Sequence, residues 1–131
     1  MSQAELIEPT VDPETKNLVD RNLVARNAGG SRTEISVRDT PGMVTDEPTS
    51  RGGTNGGPTP VETVMGGLCG CDAVITGMVA ELLDFEYGDI EYLCDAKIDT
   101  RGVRGVRPYF EKVTLQKTIK TNEPEDSYRE T

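Results

Sequence analysis

The sequence predicts an α+β protein, and three observations carry that prediction. Residues 60–83 place apolar side chains at spacings of three and four, residues 90–98 alternate strictly, and glycine or proline fills nine of the twenty positions 41–60. The expected order is an antiparallel hairpin, a glycine-rich loop, one long helix, two further strands and a short C-terminal helix.

Residues 1–18 are polar, with Pro9 and Pro13, and read as a loose arm ahead of a single domain over 19–131. Leu23-Val24-Ala25 and Ile35/Val37 are short β-like runs. Asn27-Ala28-Gly29-Gly30-Ser31 between them is turn chemistry, which predicts the hairpin. The stretch 41–60 is too punctuated for a helix or a long strand. Its end, Gly52-Gly53-Thr54-Asn55-Gly56-Gly57-Pro58-Thr59-Pro60, is a loop that runs into a helix start. Thr59 suits the N-cap, Pro60 the first helical position, and Glu62, three residues after Thr59, completes a capping box.

Along the helix the apolar positions are Val61, Met65, Leu68, Cys71 or Asp72, Ile75, Met78 or Val79, and Leu82. A second line of small residues runs Gly66, Gly70, Ala73, Gly77. Helical glycines cost about 0.8–1 kcal/mol each relative to alanine, so something is expected to pack closely on that side. A neighbouring helix, including a twofold copy of this one, is the simplest candidate. The competing reading is a helix broken at Gly66-Gly67. Beyond it, Ile90, Tyr92, Cys94, Ala96 and Ile98 face one way, and Glu91, Asp95 and Lys97 the other, with only Leu93 breaking the polar face, as in a half-buried strand. A loop with Arg101, Arg104 and Arg107 leads to a strand over 110–119, with Val113, Leu115 and Ile119 on one face. Asn122 then suits the cap of a short last helix.

The composition narrows the function classes. The chain has 131 residues, a net charge of −9 and no histidine. That argues against non-specific nucleic-acid binding, and it excludes an imidazole base and a histidine-ligated zinc. Hydrophobic residues make up 34% and aromatics 5%, which gives a modest aliphatic core and makes oligomerisation an expectation. Glu62, Asp72 and Glu81 interrupt the longest apolar segment, so no membrane span is expected, and the N-terminus lacks secretory-signal character. The loop 52–57 matches neither GxxxxGK[ST] nor GxGxxG, which argues against a nucleotide. Three cysteines, Cys69, Cys71 and Cys94, fit free thiols in a reducing compartment, with the cytoplasm as the default.

Reactive chemistry, if present, belongs to those cysteines. Cys69 and Cys71 point roughly 200° apart on a helix, so they cannot pair or share a metal unless the helix opens. Cys71 lies on the apolar stripe and Cys69 does not. Cys71 reads either as a small buried hydrophobe or as a thiolate in need of a cation, and Cys94 reads as core. Arg26, Arg32, Arg38, Arg101, Arg104 and Arg107 are the available cations.

Asp46-Glu47-Pro48, Gly52-Gly53, Gly56-Gly57-Pro58-Thr59-Pro60-Val61-Glu62 and Leu68-Cys69-Gly70-Cys71 together resemble the OsmC/Ohr family, whose approximate signature is DEP…GG…GPxPxE and a cysteine inside a long helix. Cys71, eleven residues after Pro60, matches that cysteine, and the resemblance covers roughly residues 20–120. It implies an OsmC-like fold, with antiparallel sheets packed around a long central helix in an intertwined homodimer. It also implies reduction of organic hydroperoxides by a dithiol reductant, with Cys71 as the attacking thiol and no cofactor or metal. Thiolate support would come from Arg26 or Arg38 near the N-terminus and from Glu62. The chain departs from the family where Val61 replaces a glutamate and where no cysteine follows Cys94, and the last helix is short. Those departures keep open a non-catalytic member that binds a small apolar ligand, or a structural remnant.

Overall fold

The computed structural model describes residue 12, residues 14–99 and residues 110–124. The expected arginine loop after Asp99 and the last helix beyond Pro124 lie outside these residues, as does most of the N-terminal arm. Of that arm, Asp12 caps a turn by accepting from the Glu14 N–H at 2.9 Å, and Leu18 stands 83% exposed. The chain forms two compact units, one within Val11–Gly67 and one within Leu68–Thr131.

The first unit holds a three-stranded antiparallel sheet in the order β1 (Val24–Arg26), β2 (Thr33–Ser36), β3 (Met43–Thr45). The hairpin β1–β2 pairs Val24 with Ser36 and Arg26 with Glu34. Its turn is built by Asn27, whose amide donates to the carbonyls of Gly30 at 3.1 Å and Arg32 at 3.0 Å. Gly29 and Gly30 sit at φ 120° and 71°, which side chains rarely tolerate. Strand β3 is not visible in the sequence pattern. Three residues are too few for alternation to show, and they are ordered by the free edge of β2, where Thr33 pairs with Thr45 and Ile35 with Met43.

The helix α1 runs Pro60–Leu82 without interruption at Gly66-Gly67. Its start is the expected capping box: the Thr59 N–H donates to Glu62 Oε1 at 2.8 Å and the Glu62 N–H to Thr59 Oγ1 at 3.2 Å. Its end is closed by Asp84 at φ 51°, with the Phe85 N–H donating to the Ala80 carbonyl at 2.8 Å and the Asp84 N–H to the Glu81 carbonyl at 3.3 Å.

In the second unit β4 (Ile90–Ile98) and β5 (Phe110–Ile119) form an antiparallel pair from Ile90↔Ile119 to Ile98↔Phe110, with one irregularity between Lys97 and Ile98. Ile90, Tyr92, Cys94 and Ala96 occupy the half-buried face of β4 in the predicted phase, while Ile98, expected with them, is 37% exposed just past the irregularity. On β5 the half-buried positions are Lys117 and Ile119, while Val113 and Leu115 are 40% and 38% exposed.

Burial departs from the sequence reading. Among the described residues Ala80 is the one buried apolar side chain. Of the predicted stripe, Leu68, Ile75, Met78 and Leu82 are each more than half exposed, together with Val64, while Val61, Met65 and Val79 are half-buried. The small-residue line divides. A Cβ at Gly66, Gly67 or Gly70 would meet nothing within 4 Å, whereas one at Gly77 would lie 3.2 Å from the Tyr87 hydroxyl.

Candidate functional site

The loop between β3 and α1 is organised by a side chain that the sequence marked only as part of a string. Asp46 is fully removed from solvent. Its Oδ1 accepts from Ser31 Oγ at 2.6 Å and from the Glu47 N–H at 2.8 Å. Its Oδ2 accepts from Thr54 Oγ1 at 2.5 Å, from the Thr54 N–H at 3.3 Å and from the Gly56 N–H at 2.9 Å. These donors, Ser31 foremost and then Thr54, hold the Asp46 carboxyl far below the usual carboxylate range. Two glycines let the backbone close around it. A Cβ at Gly53 would lie 2.0 Å from the Glu47 carbonyl oxygen, and one at Gly57 would lie 2.3 Å from that of Val44. The Asp46 N–H donates to the Pro58 carbonyl at 2.9 Å, so the loop is fixed at its exit as well as its centre.

The loop delivers the chain to the capping box. There Glu62 serves the helix start, and the Thr59 N–H holds its carboxyl below the usual range. Arg26 lies on β1 opposite Glu34, and Arg38 sits at φ 45° in the turn after β2. Arg32 pairs with Glu34 at 3.6 Å, and its guanidinium lies beside Gly56. Cys71 belongs to the second unit, on the outward side of α1. It is exposed, in line with Val64, Leu68, Ile75, Met78 and Leu82 at spacings of four and three. The free thiol is therefore not the small buried hydrophobe that its position on the stripe suggested.

The opposite side of α1 carries a polar cluster that sequence reasoning did not assemble. Asp72 accepts from the Tyr92 hydroxyl of β4 and from Lys117 Nζ of β5 at 2.8 Å. Lys117 also donates to Thr76 Oγ1 at 2.5 Å, and Thr76 donates to Asp72 at 3.4 Å. Lys117 foremost, then Tyr92, keeps the Asp72 carboxyl low. Burial, then the Asp72 carboxylate, pushes the Tyr92 phenol up to about 12. One turn back along α1, Cys69 is half-buried on the same side of the helix, and Cys94 is half-buried two residues beyond Tyr92 on β4. The Cys94 thiol is pushed up by burial first and then by Cys69. The signal for this cluster was available, since Lys117 shares its phase with Val113, Leu115 and Ile119, where a lone cation needs a buried partner.

By length and mean hydropathy, 1.5 over its best window, α1 is long and apolar enough to cross a membrane. Its bonds to β4 and β5 argue otherwise. Hydrocarbon around this helix would also have to accommodate the Asp72–Lys117 ion pair and the open edges of a two-stranded sheet.

Comparison with known proteins supplies a likeness of fold. Neither a protein-family model nor a curated protein matches the chain. A crystal structure from Psychrobacter arcticus 273-4, provisionally described as an osmotic stress induced and detoxification response protein, aligns with it at a TM-score of 0.67. That alignment spans 86% of this chain and 78% of the other at 13% identity. The architecture is thus OsmC-like: α+β, with one long helix and two antiparallel sheets.

Proposed function

We propose that this chain is an OsmC-like thiol-dependent reductant of organic hydroperoxides, acting as a homodimer with Cys71 as the attacking thiol. The observation that carries the reading is the position of Cys71: a free, accessible thiol midway along an apolar helix stripe that none of the described residues covers. A stripe with this spacing suits a second copy of the same helix, and the open glycines beside it would admit a close backbone. Such a contact would place Cys71 in apolar surroundings suited to a hydrophobic peroxide.

The Cys71 thiolate attacks a peroxide oxygen, the O–O bond breaks, and the alkoxide takes a proton and leaves as the alcohol. Cys71 becomes a sulfenic acid. One thiol of a dithiol reductant condenses with it and releases water. The second thiol then displaces Cys71 and closes the reductant's own disulfide. Cys69 cannot resolve the sulfenic acid, because it points roughly 200° away on the same helix. Arg26 or Arg38 is the proposed support for the thiolate. Glu62 contributes by fixing the helix start, and the free thiols fit the cytoplasm.

The test is oxidation of the intact chain by cumene hydroperoxide, read by mass spectrometry at each cysteine, with dithiothreitol-driven turnover alongside. The reading predicts sulfenic acid at Cys71 and turnover that Cys71→Ser abolishes. A Cys71 that stays reduced under excess peroxide overturns it.

A further inference from the structure

Cys69 is the first member of a face of α1 that continues through Asp72 and Thr76, at spacings of three and four. Tyr92 and Cys94 are two apart on β4 and share its half-buried face. The bond from Tyr92 to Asp72 sets the register between these two faces, and the Lys117–Asp72 ion pair holds it from β5. From Asp72 back to Cys69 is ~4.5 Å along the helix. From Tyr92 to Cys94 is ~6.6 Å along the strand. Tyr87 lies at Gly77 and Tyr92 on Asp72, so the chain entering and running along β4 travels back along α1, and the two steps bring Cys69 and Cys94 to facing positions. Both are half-buried, so reagents of small size can reach them. Cys71, turned to the other side of the helix, takes no part.

We propose that Cys69 and Cys94 are a thiol–disulfide exchange site, which closes a reversible intrachain bond between α1 and β4 when it meets a low-molecular-weight disulfide. The site stands apart from the hydroperoxide chemistry assigned to Cys71 and does not need it. Cys69 enters first, because the Cys94 thiol is held protonated by burial and by its neighbour. The Cys69 thiolate attacks one sulfur of the small disulfide, its S–S bond breaks, and one thiolate leaves to take up a proton. Cys94 then gives its proton to solvent and attacks the Cys69 sulfur, expelling the second small thiolate. Two protein thiols have lost two electrons, and one small disulfide has become two thiols. Closure requires the two sulfurs to meet at ~2.05 Å. The closed bond would pin the inward side of α1 to its sheet and leave the outward stripe unchanged.

The experiment equilibrates the intact Cys71→Ser chain with reduced and oxidised glutathione at varied ratio, without peroxide, then alkylates and maps peptides. The expected result is one intrachain link between Cys69 and Cys94, with a loss of two hydrogens that excess reduced glutathione restores. Cys94→Ser should stop the sequence at a stable glutathione adduct on Cys69. The same map on the unmodified chain, fragmented between Cys69 and Cys71, reads the bond without any substitution. Alkylation of both Cys69 and Cys94 in the oxidising buffer, or separate glutathione adducts on each, would overturn the proposal.

Discussion

The loop ahead of α1 and the outward face of α1 are neighbours in sequence and opposites in physical state. The loop satisfies itself. One buried carboxylate accepts five hydrogen bonds, glycines close the backbone over it, and the exit is tied to β3. The helix face leaves large apolar side chains in water and glycines against open space. A region that completes its own interactions reads as scaffold. One that does not reads as the surface where another molecule belongs.

The largest expected effect lies in the scaffold. Asp46→Ala strands the donors of Ser31, Thr54 and Gly56, and chemical denaturation should show loss of cooperative unfolding. Asp46→Asn should have a related signature in pH. The Asp46 carboxyl is lower folded than unfolded, so its contribution is present above the unfolded value near 4 and is lost as pH falls through the folded one. Acid unfolding curves should therefore be flatter for Asp46→Asn than for the parent.

Next in size is the helix face. If a twofold copy covers it, Ile75→Lys removes an apolar contact worth ~1.5–3 kcal/mol in each copy and adds a charge. The dimer dissociation constant, read by sedimentation, should rise roughly 100-fold or more.

The glycines sharpen the comparison because the two regions predict different signs. Gly53→Ala should destabilise the chain, since the new methyl meets backbone at 2.0 Å. Gly70→Ala adds a methyl into open space and in a lone chain should stabilise the helix by about 1 kcal/mol. Loss of stability from Gly70→Ala, in thermal melts at fixed concentration, would report a partner backbone pressed against that face. The smallest effect is Thr59→Ala, which removes half of the capping box and should cost about 1 kcal/mol in the same melts.

Much of this architecture was legible in the sequence where the determinants are local. The Thr59–Glu62 box, the alternation of 90–98 that only Leu93 breaks and the strand 110–119 follow from side-chain types at short spacings. What stayed hidden depends on contacts across the chain. Strand β3 exists because β2 has a free edge, and Asp46 matters because Ser31 reaches it from fifteen residues away. Asp72 faces inward because Lys117 waits forty-five positions later, which also turns Cys69, not Cys71, toward β4. The apolar stripe was readable as a stripe, but periodicity does not say whether its cover comes from the same chain.

Sedimentation velocity of the intact chain at micromolar concentration tests that point most directly. A dimer that Ile75→Lys converts to monomer is the predicted result. A sharp monomer boundary for the unaltered chain would contradict it and leave the outward face of α1 to some other partner.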